Sequence, residues 1–145
     1  MGWFMRIRWT NELATGVRTI DLQHEELIGM LNELGAAYAA GQNLSVLDDV
    51  LQRLTAYTIF HFGTEEALMT SLKGRPDFEE HCQQHRRFIE ELSRMRDQSS
   101  ADTAGAMKDL IDFLNAWLYE HILKSDRTLA ACLNEQNAKV HMKEH

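Results

Sequence analysis

The chain has 145 residues, 44% of them hydrophobic, a formal net charge of −7 and a single proline. That length can bury one core without disulfides, and the scarcity of proline favours long uninterrupted helices over a strand-and-turn protein. The acidic balance, with no basic run beyond Arg86-Arg87, argues against nucleic acid as a partner.

The opening Met1-Gly2-Trp3-Phe4-Met5-Arg6 is too short and too soon interrupted by charge for a signal peptide or a membrane span. A soluble, cytoplasmic protein without membrane insertion is the expectation. Residues 1–18 lack helical periodicity and read as an N-terminal arm packed along the domain. Apolar residues then recur at Ile20, Leu27, Ile28, Leu31, Leu34 and Tyr38 up to a stop at Gly41, which predicts a first helix with His24 inside its apolar stripe. Ser45 with Asp48 offers an N-terminal cap to a second, long helix. Its face is Leu47, Val50, Leu51, Leu54, Thr58, His61, Glu65, Leu68 and Leu72, ending at Gly74.

A third helix opens near Pro76-Asp77, with Phe78, His81, His85, Phe88, Leu92 and Met95 on its seam, and the polar segment from Asp97 to Thr103 closes it. A fourth turns Met107, Leu110, Ile111, Leu114, Trp117, Leu118 and His121 inward. The polar residues from Asn134 to His145 read as a frayed or loosely docked tail. The predicted fold class is all-α, an up-down-up-down antiparallel four-helix bundle with an N-terminal arm, in one domain spanning residues 1–145. Cys82 and Cys132 have no metal-type spacing and read as reduced thiols, Cys82 on the flank of the third helix.

The stretch from His61 to His85 organises this pattern. His61 and Glu65 are four apart, as are His81 and His85, and at about 100° per residue each pair shares one helical face. Imidazole together with carboxylate suits iron, zinc or manganese better than a pure oxygen-ligand ion. Taken singly, each histidine has an ordinary reading as a core imidazole bonded to a backbone carbonyl. Jointly they do not. His24 near the start of the first helix, His61 late in the second, His81 and His85 early in the third and His121 late in the fourth all fall at one end of an antiparallel bundle.

Glu65 at a seam position would carry a large desolvation cost without a cation. Asp126 follows His121 by five residues, about 140° further round an ideal helix, so it reaches the same site only if the helix breaks, tightens or bulges between Ile122 and Ser125. Its ordinary reading is the cap of a short helix beginning at Arg127.

The segments G-V-R-T-I-D-L-Q-H-E-E-L, H-F-G-T-E-E-A-L-M, R-P-D-F-E-E-H-C-Q-Q-H and W-L-Y-E-H-I-L-K-S-D resemble the hemerythrins, above all their single-domain bacterial members. The likeness runs from about Trp9 to Asp126. It implies two iron ions as cofactor, about a hydrogen-bond length or slightly more apart. One would be held by His81, His85 and His121 and the other by His24 and His61, with Glu65 and Asp126 bridging beside an oxo or hydroxo bridge. One bond per imidazole, two per bridging carboxylate and two for the oxygen bridge leave a single vacancy in two octahedra, on the iron with fewer histidines. There the resemblance places dioxygen, bound and released again, in a protein that would transport, store or deliver it, with an oxygen-consuming protein as the natural recipient. The pattern departs from the family at Arg75, where an aromatic residue is frequent, and at Cys82.

Trp117, Leu118 and Ile122 stand within a turn of His121, and the resemblance sets this stretch against the dioxygen site, as an apolar wall or as ordinary core. Other functions compete with a non-enzymatic carrier. A di-iron oxidase or peroxidase of the ferritin-like kind would use Glu-x-x-His pairs, which are missing before all five internal histidines. An oxygen or redox sensor would act through a partner protein. A zinc protein would need fewer ligands, and His-Glu-x-x-His is absent.

Overall fold

A computed structural model of the chain describes residues 9–72, 77–101 and 104–143. Its four long helices are α1 (Arg18–Ala39), α2 (Leu44–Thr70), α3 (Asp77–Ala101) and α4 (Ala104–His121). Contacts run from α1 to α2, α2 to α3, α3 to α4 and from α4 back to α1, closing an up-down-up-down antiparallel bundle. A π turn, Ile122–Asp126, leads from α4 into α5 (Arg127–Lys143). No strand occurs among the described residues.

Local chemistry sets the boundaries. Ahead of α1, the Asp21 carboxylate accepts from the Thr15 N–H and hydroxyl at 2.8 Å each and from the Gly16 N–H at 3.2 Å, so an acid of the first turn ties down the entering chain. The expected stop at Gly41 is observed. Gly41 takes φ +74°, its N–H bonds the Tyr38 carbonyl, and the Gln42 N–H reaches the Ala37 carbonyl.

Three boundaries differ from expectation. The cap of α2 is Asn43, whose Oδ1 accepts from the Val46 N–H at 3.0 Å, and not Ser45. A capping oxygen serves an N–H two or three residues on, and Asn43 reaches one before Ser45 can. Asp48 instead takes Arg96 at 3.2 Å and Gln52 at 2.9 Å. The polar stretch after Asp97 stays helical to Ala101, because polarity without Gly or Pro does not stop a helix. The residues from Asn134 likewise continue α5 to Lys143, with Asn134, Glu135 and Gln136 exposed. Residues 1–8, the expected stop at Gly74, the departure at Arg75, the opening at Pro76, the turn at Thr103 and His145 lie outside the described residues.

The core has two apolar clusters. The larger joins Leu27, Leu31 and Leu34 of α1, Leu47, Leu51, Leu54 and Phe62 of α2, Phe88 and Leu92 of α3, and Leu110, Ile111, Leu114 and Leu118 of α4, with Trp9 and Leu13 packed into it. The smaller joins Ile20, Met69, Phe78, Leu129 and Cys132 across α1, α2, α3 and α5. On α2, Phe62 and Met69 are buried while Leu68 is half-buried, and the helix ends at Thr70, ahead of Leu72, which the expected face had included. A helix of 3.6 residues per turn drifts against a seven-residue pattern, and over a helix this long the seam moves by a position.

Between the clusters lies a polar layer. Along α1, α2 and α3 the metal-competent side chains stand between a residue of the small cluster and one of the large: Ile20, His24 and Leu27 on α1, or Phe78, His81, His85 and Phe88 on α3. Along the last part of the chain Leu118 of α4 and Leu129 of α5 flank His121 and Asp126 in the same way.

Candidate metal centre

The π turn explains how Asp126 joins the site. A π turn closes i to i+5 hydrogen bonds, so a residue five beyond His121 returns to nearly the same face, where an α-helix would aim it away. The required irregularity between Ile122 and Ser125 is therefore a widened turn.

Two groups of ligand atoms result, each with members within 4.8 Å of one another: Glu65, His81, His85, His121 and Asp126 in one, His24, His61, Glu65 and Asp126 in the other. Both carboxylates belong to both groups. None of the seven residues is more than 4% exposed. His81 and His85 each bring Nε2 to 3.1 Å from His121 Nε2. A single N–H···N bond could reconcile only one such approach, whereas a cation accepts all three lone pairs. Asp126 Oδ1 lies 3.1 Å from His81 and 3.0 Å from His121, while Oδ2 lies 2.7 Å from His24. Glu65 Oε1 sits 3.2 Å from His85 and 3.3 Å from His61.

The donor set fits a pair of cations of the iron class. Among the protein atoms, His61 Nε2, both Glu65 oxygens and Asp126 Oδ1 are buried without a hydrogen-bond partner. Buried polar groups so orphaned are costly, and these face the centre. Burial, then His24, pushes His61 down to about 3; burial, then His121, pushes His85 down to about 2. Burial also lowers His121. All three imidazoles are thus neutral and carry a lone pair, the form a metal needs. Without a cation the carboxylates split: burial and then Asp126 drive Glu65 well up, whereas burial opposed by His121, Glu65 and His24 leaves Asp126 well below its usual range.

Leu118 and Ile122 are buried in the large cluster, and Trp117 is half-buried with its ring stacked on His121 at 4.4 Å. Phe62, which sequence reading passed over, stacks on His85 at 3.8 Å and 6° and lies 5.7 Å from Trp117. Its signal was present, since it directly follows His61, but the expected seam ran past it. Gln23 was missed as well; its Oε1 stands 2.6 Å from His61 Nδ1. An open groove of about 600 Å³, lined by His81, Gln84, Leu123, Ser125 and Arg127 among others, reaches the centre from outside at His81, and a smaller one of about 150 Å³ reaches it at His121.

Cys82 and Cys132 are free thiols, and no cysteine joins either ligand group among the described residues. Cys82 packs on the small cluster with Sγ 3.9 Å from Met69 Sδ, and burial, then Glu66, pushes its thiol up to about 11.

Comparison with known proteins agrees with this geometry. The profile of the hemerythrin HHE cation binding domain matches residues 15–133. A bacteriohemerythrin of Pseudomonas aeruginosa is 34% identical over 120 residues, covering 81% of this chain and 75% of that protein. One of Methylococcus capsulatus is 32% identical over 127 residues, covering 87% and 95%, and one of Clostridium acetobutylicum is 28% identical over 126 residues, covering 82% and 95%. With its candidate ligand residues spread over all four bundle helices and the family profile matched along most of its length, the chain belongs to the hemerythrin family.

Proposed function

We propose that the chain binds dioxygen reversibly at a non-haem di-iron centre, for oxygen transport, storage or delivery. The observation that carries the reading is the pair of overlapping ligand groups with unequal histidine number, sharing Glu65 and Asp126. His81, His85 and His121 would hold one ion, His24 and His61 the other, and the carboxylates would span both. Two ferrous ions, when bound, supply the electrons that dioxygen takes up on binding and returns on release.

The protein's own part is to keep one position open and dry. His24 and His61 offer one nitrogen fewer than the opposite group, which leaves room for an outside ligand on their side. Leu118 and Ile122 are buried among apolar side chains, and with Trp117 they exclude the water and proton donors that would turn bound dioxygen into a released reduced product. Many neutral imidazoles and few carboxylates leave the metals less electron-rich than a glutamate-built site would, which disfavours cleavage of the O–O bond and supports binding over catalysis. The names of the relatives and the cation-binding description of the family support the same reading. No described helix is long and apolar enough to cross a membrane; a cytoplasmic location and an oxygen-consuming recipient protein belong to the proposal.

Absorption spectra of the diferrous protein test it. The protein should colour in air and bleach when oxygen is withdrawn, over repeated cycles. Leu118→Asn should keep its iron yet oxidise irreversibly much faster. Wild-type protein that never bleaches, or that turns over peroxide, would contradict the carrier reading. Leu118→Asn oxidising at the wild-type rate would remove the apolar wall from it.

A further inference from the structure

His61 is distinguished by what holds its outer nitrogen. The Nδ1 atoms of His24, His85 and His121 are buried with no hydrogen-bond partner among the protein atoms, whereas His61 Nδ1 meets Gln23 Oε1 at 2.6 Å. The contact continues outward. Gln23 Nε2 donates to Thr64 Oγ1 at 3.2 Å, and Thr64 Oγ1 donates to the Phe60 carbonyl at 3.2 Å.

We propose that Thr64 and Gln23 are positioning residues that act as a directional relay, fixing His61 in the tautomer whose Nε2 lone pair faces the metal centre. The direction is set at the far end. A backbone carbonyl only accepts, so the single hydroxyl hydrogen of Thr64 is committed to Phe60. Thr64 then offers Gln23 nothing but lone pairs, and Gln23 must present its NH2 there. Its carbonyl oxygen is thereby turned to His61, so Nδ1 carries the proton. Nε2 is left as an acceptor, buried, 3.3 Å from Glu65 and without a hydrogen-bond partner. The opposite tautomer would place a hydrogen where a metal bond has to form. Gln23 is buried and Thr64 half-buried, so water competes weakly at the His61 end of the relay, while the Thr64–Phe60 bond lies at the surface. A neutral amide fixes the ring without adding a negative charge beside the metal position that has fewer histidines.

The inference rests on the di-iron reading for its purpose but not for its measurement. Nitrogen-15 NMR of histidine-labelled, metal-free protein reads the His61 tautomer directly, and ferrous titration reads the consequence. Wild type should show Nδ1–H alone. Thr64→Val, at a residue outside both ligand groups, should let the amide turn over and give a mixture of tautomers, and Thr64→Ser should restore the single form. Gln23→Leu should lower iron affinity by about 10- to 100-fold, Thr64→Val by less, and Gln23→Glu, which can accept from His61, should keep the tautomer. A Thr64→Val protein with the wild-type tautomer and wild-type affinity would overturn the relay. Wild-type protein that shows the tautomer but binds no iron would instead overturn the metal reading and leave the relay standing.

Discussion

The two ends of the bundle are buried to the same degree by different means. In the layer of Leu31, Leu34, Leu51, Leu92, Leu110 and Ile111, apolar atoms meet apolar atoms, and burial is itself the stabilising force. About two to three turns away, five imidazoles and two carboxylates are as deeply enclosed, and several of their polar atoms have no protein partner. The first layer depends on volume and tolerates exchange of one aliphatic residue for another; the second depends on lone pairs and, on the proposed reading, is complete only around cations. One end therefore stabilises the fold by itself, and the other is expected to do so only when loaded.

The largest expected difference follows from emptying the site. Stripping the metal should cost about 4 kcal/mol of stability, as for any ligand well above its dissociation constant, or roughly 10–15 °C in Tm for a chain of this size. A calorimetric melt unchanged by chelation would show that the ligand layer needs no cation.

Paired substitutions sharpen the contrast. Leu110→Ala should cost about 2–5 kcal/mol in metal-loaded and metal-free protein alike, because its cavity is indifferent to the metal. Glu65→Gln should weaken the loaded protein strongly yet leave the metal-free protein unchanged or more stable, since it removes a buried acid that nothing compensates. Denaturant titrations of the four species decide this, and equal costs for Glu65→Gln in both states would erase the distinction between layers.

Acid should act on the ligand layer alone. His61 and His85 are held at about 3 and about 2 in the metal-free fold against about 6.5 when unfolded, so below pH 6.5 the unfolded chain takes up protons that the folded chain refuses. Stability is greatest above the unfolded value and falls as pH falls towards the folded ones, by about 2 kcal/mol per histidine at pH 5. Metal-free Leu110→Ala should follow the same slope from a lower start. Glu65, driven well up in the metal-free fold, takes up its proton first when folded and offsets part of this fall, so a rise in stability from pH 7 down to pH 5 would mean that these imidazoles are solvated. The smallest effect lies at the far end, where Asn43→Ala should cost about 1 kcal/mol through loss of the α2 cap, with no change in metal binding.

The same contrast explains what could be read from sequence. The apolar layer follows helical period, and Leu27, Leu31 and Leu34 or Leu110, Ile111 and Leu114 were legible from spacing alone. Most of the site was legible too, because four-residue pairs such as His61 with Glu65 share a face by geometry. Asp126 was the exception: its five-residue offset is wrong for an α-helix, and only the π turn makes it right. What stayed hidden depends on partners distant in sequence. Gln23 means nothing until α1 lies against α2 and brings it to Thr64 and His61. Phe62 and Met69 entered the core through slow drift of a long helix, and α3 outran its expected end because polar residues do not break helices.

The central claim is that the seven side chains form one site for two metal ions, and anaerobic titration of metal-free protein with ferrous iron tests it most directly. Binding should saturate at two irons per chain, with Glu65→Gln and Asp126→Asn each falling short of that endpoint. Saturation at one metal per chain, or purified protein holding one zinc and no iron, would contradict the account.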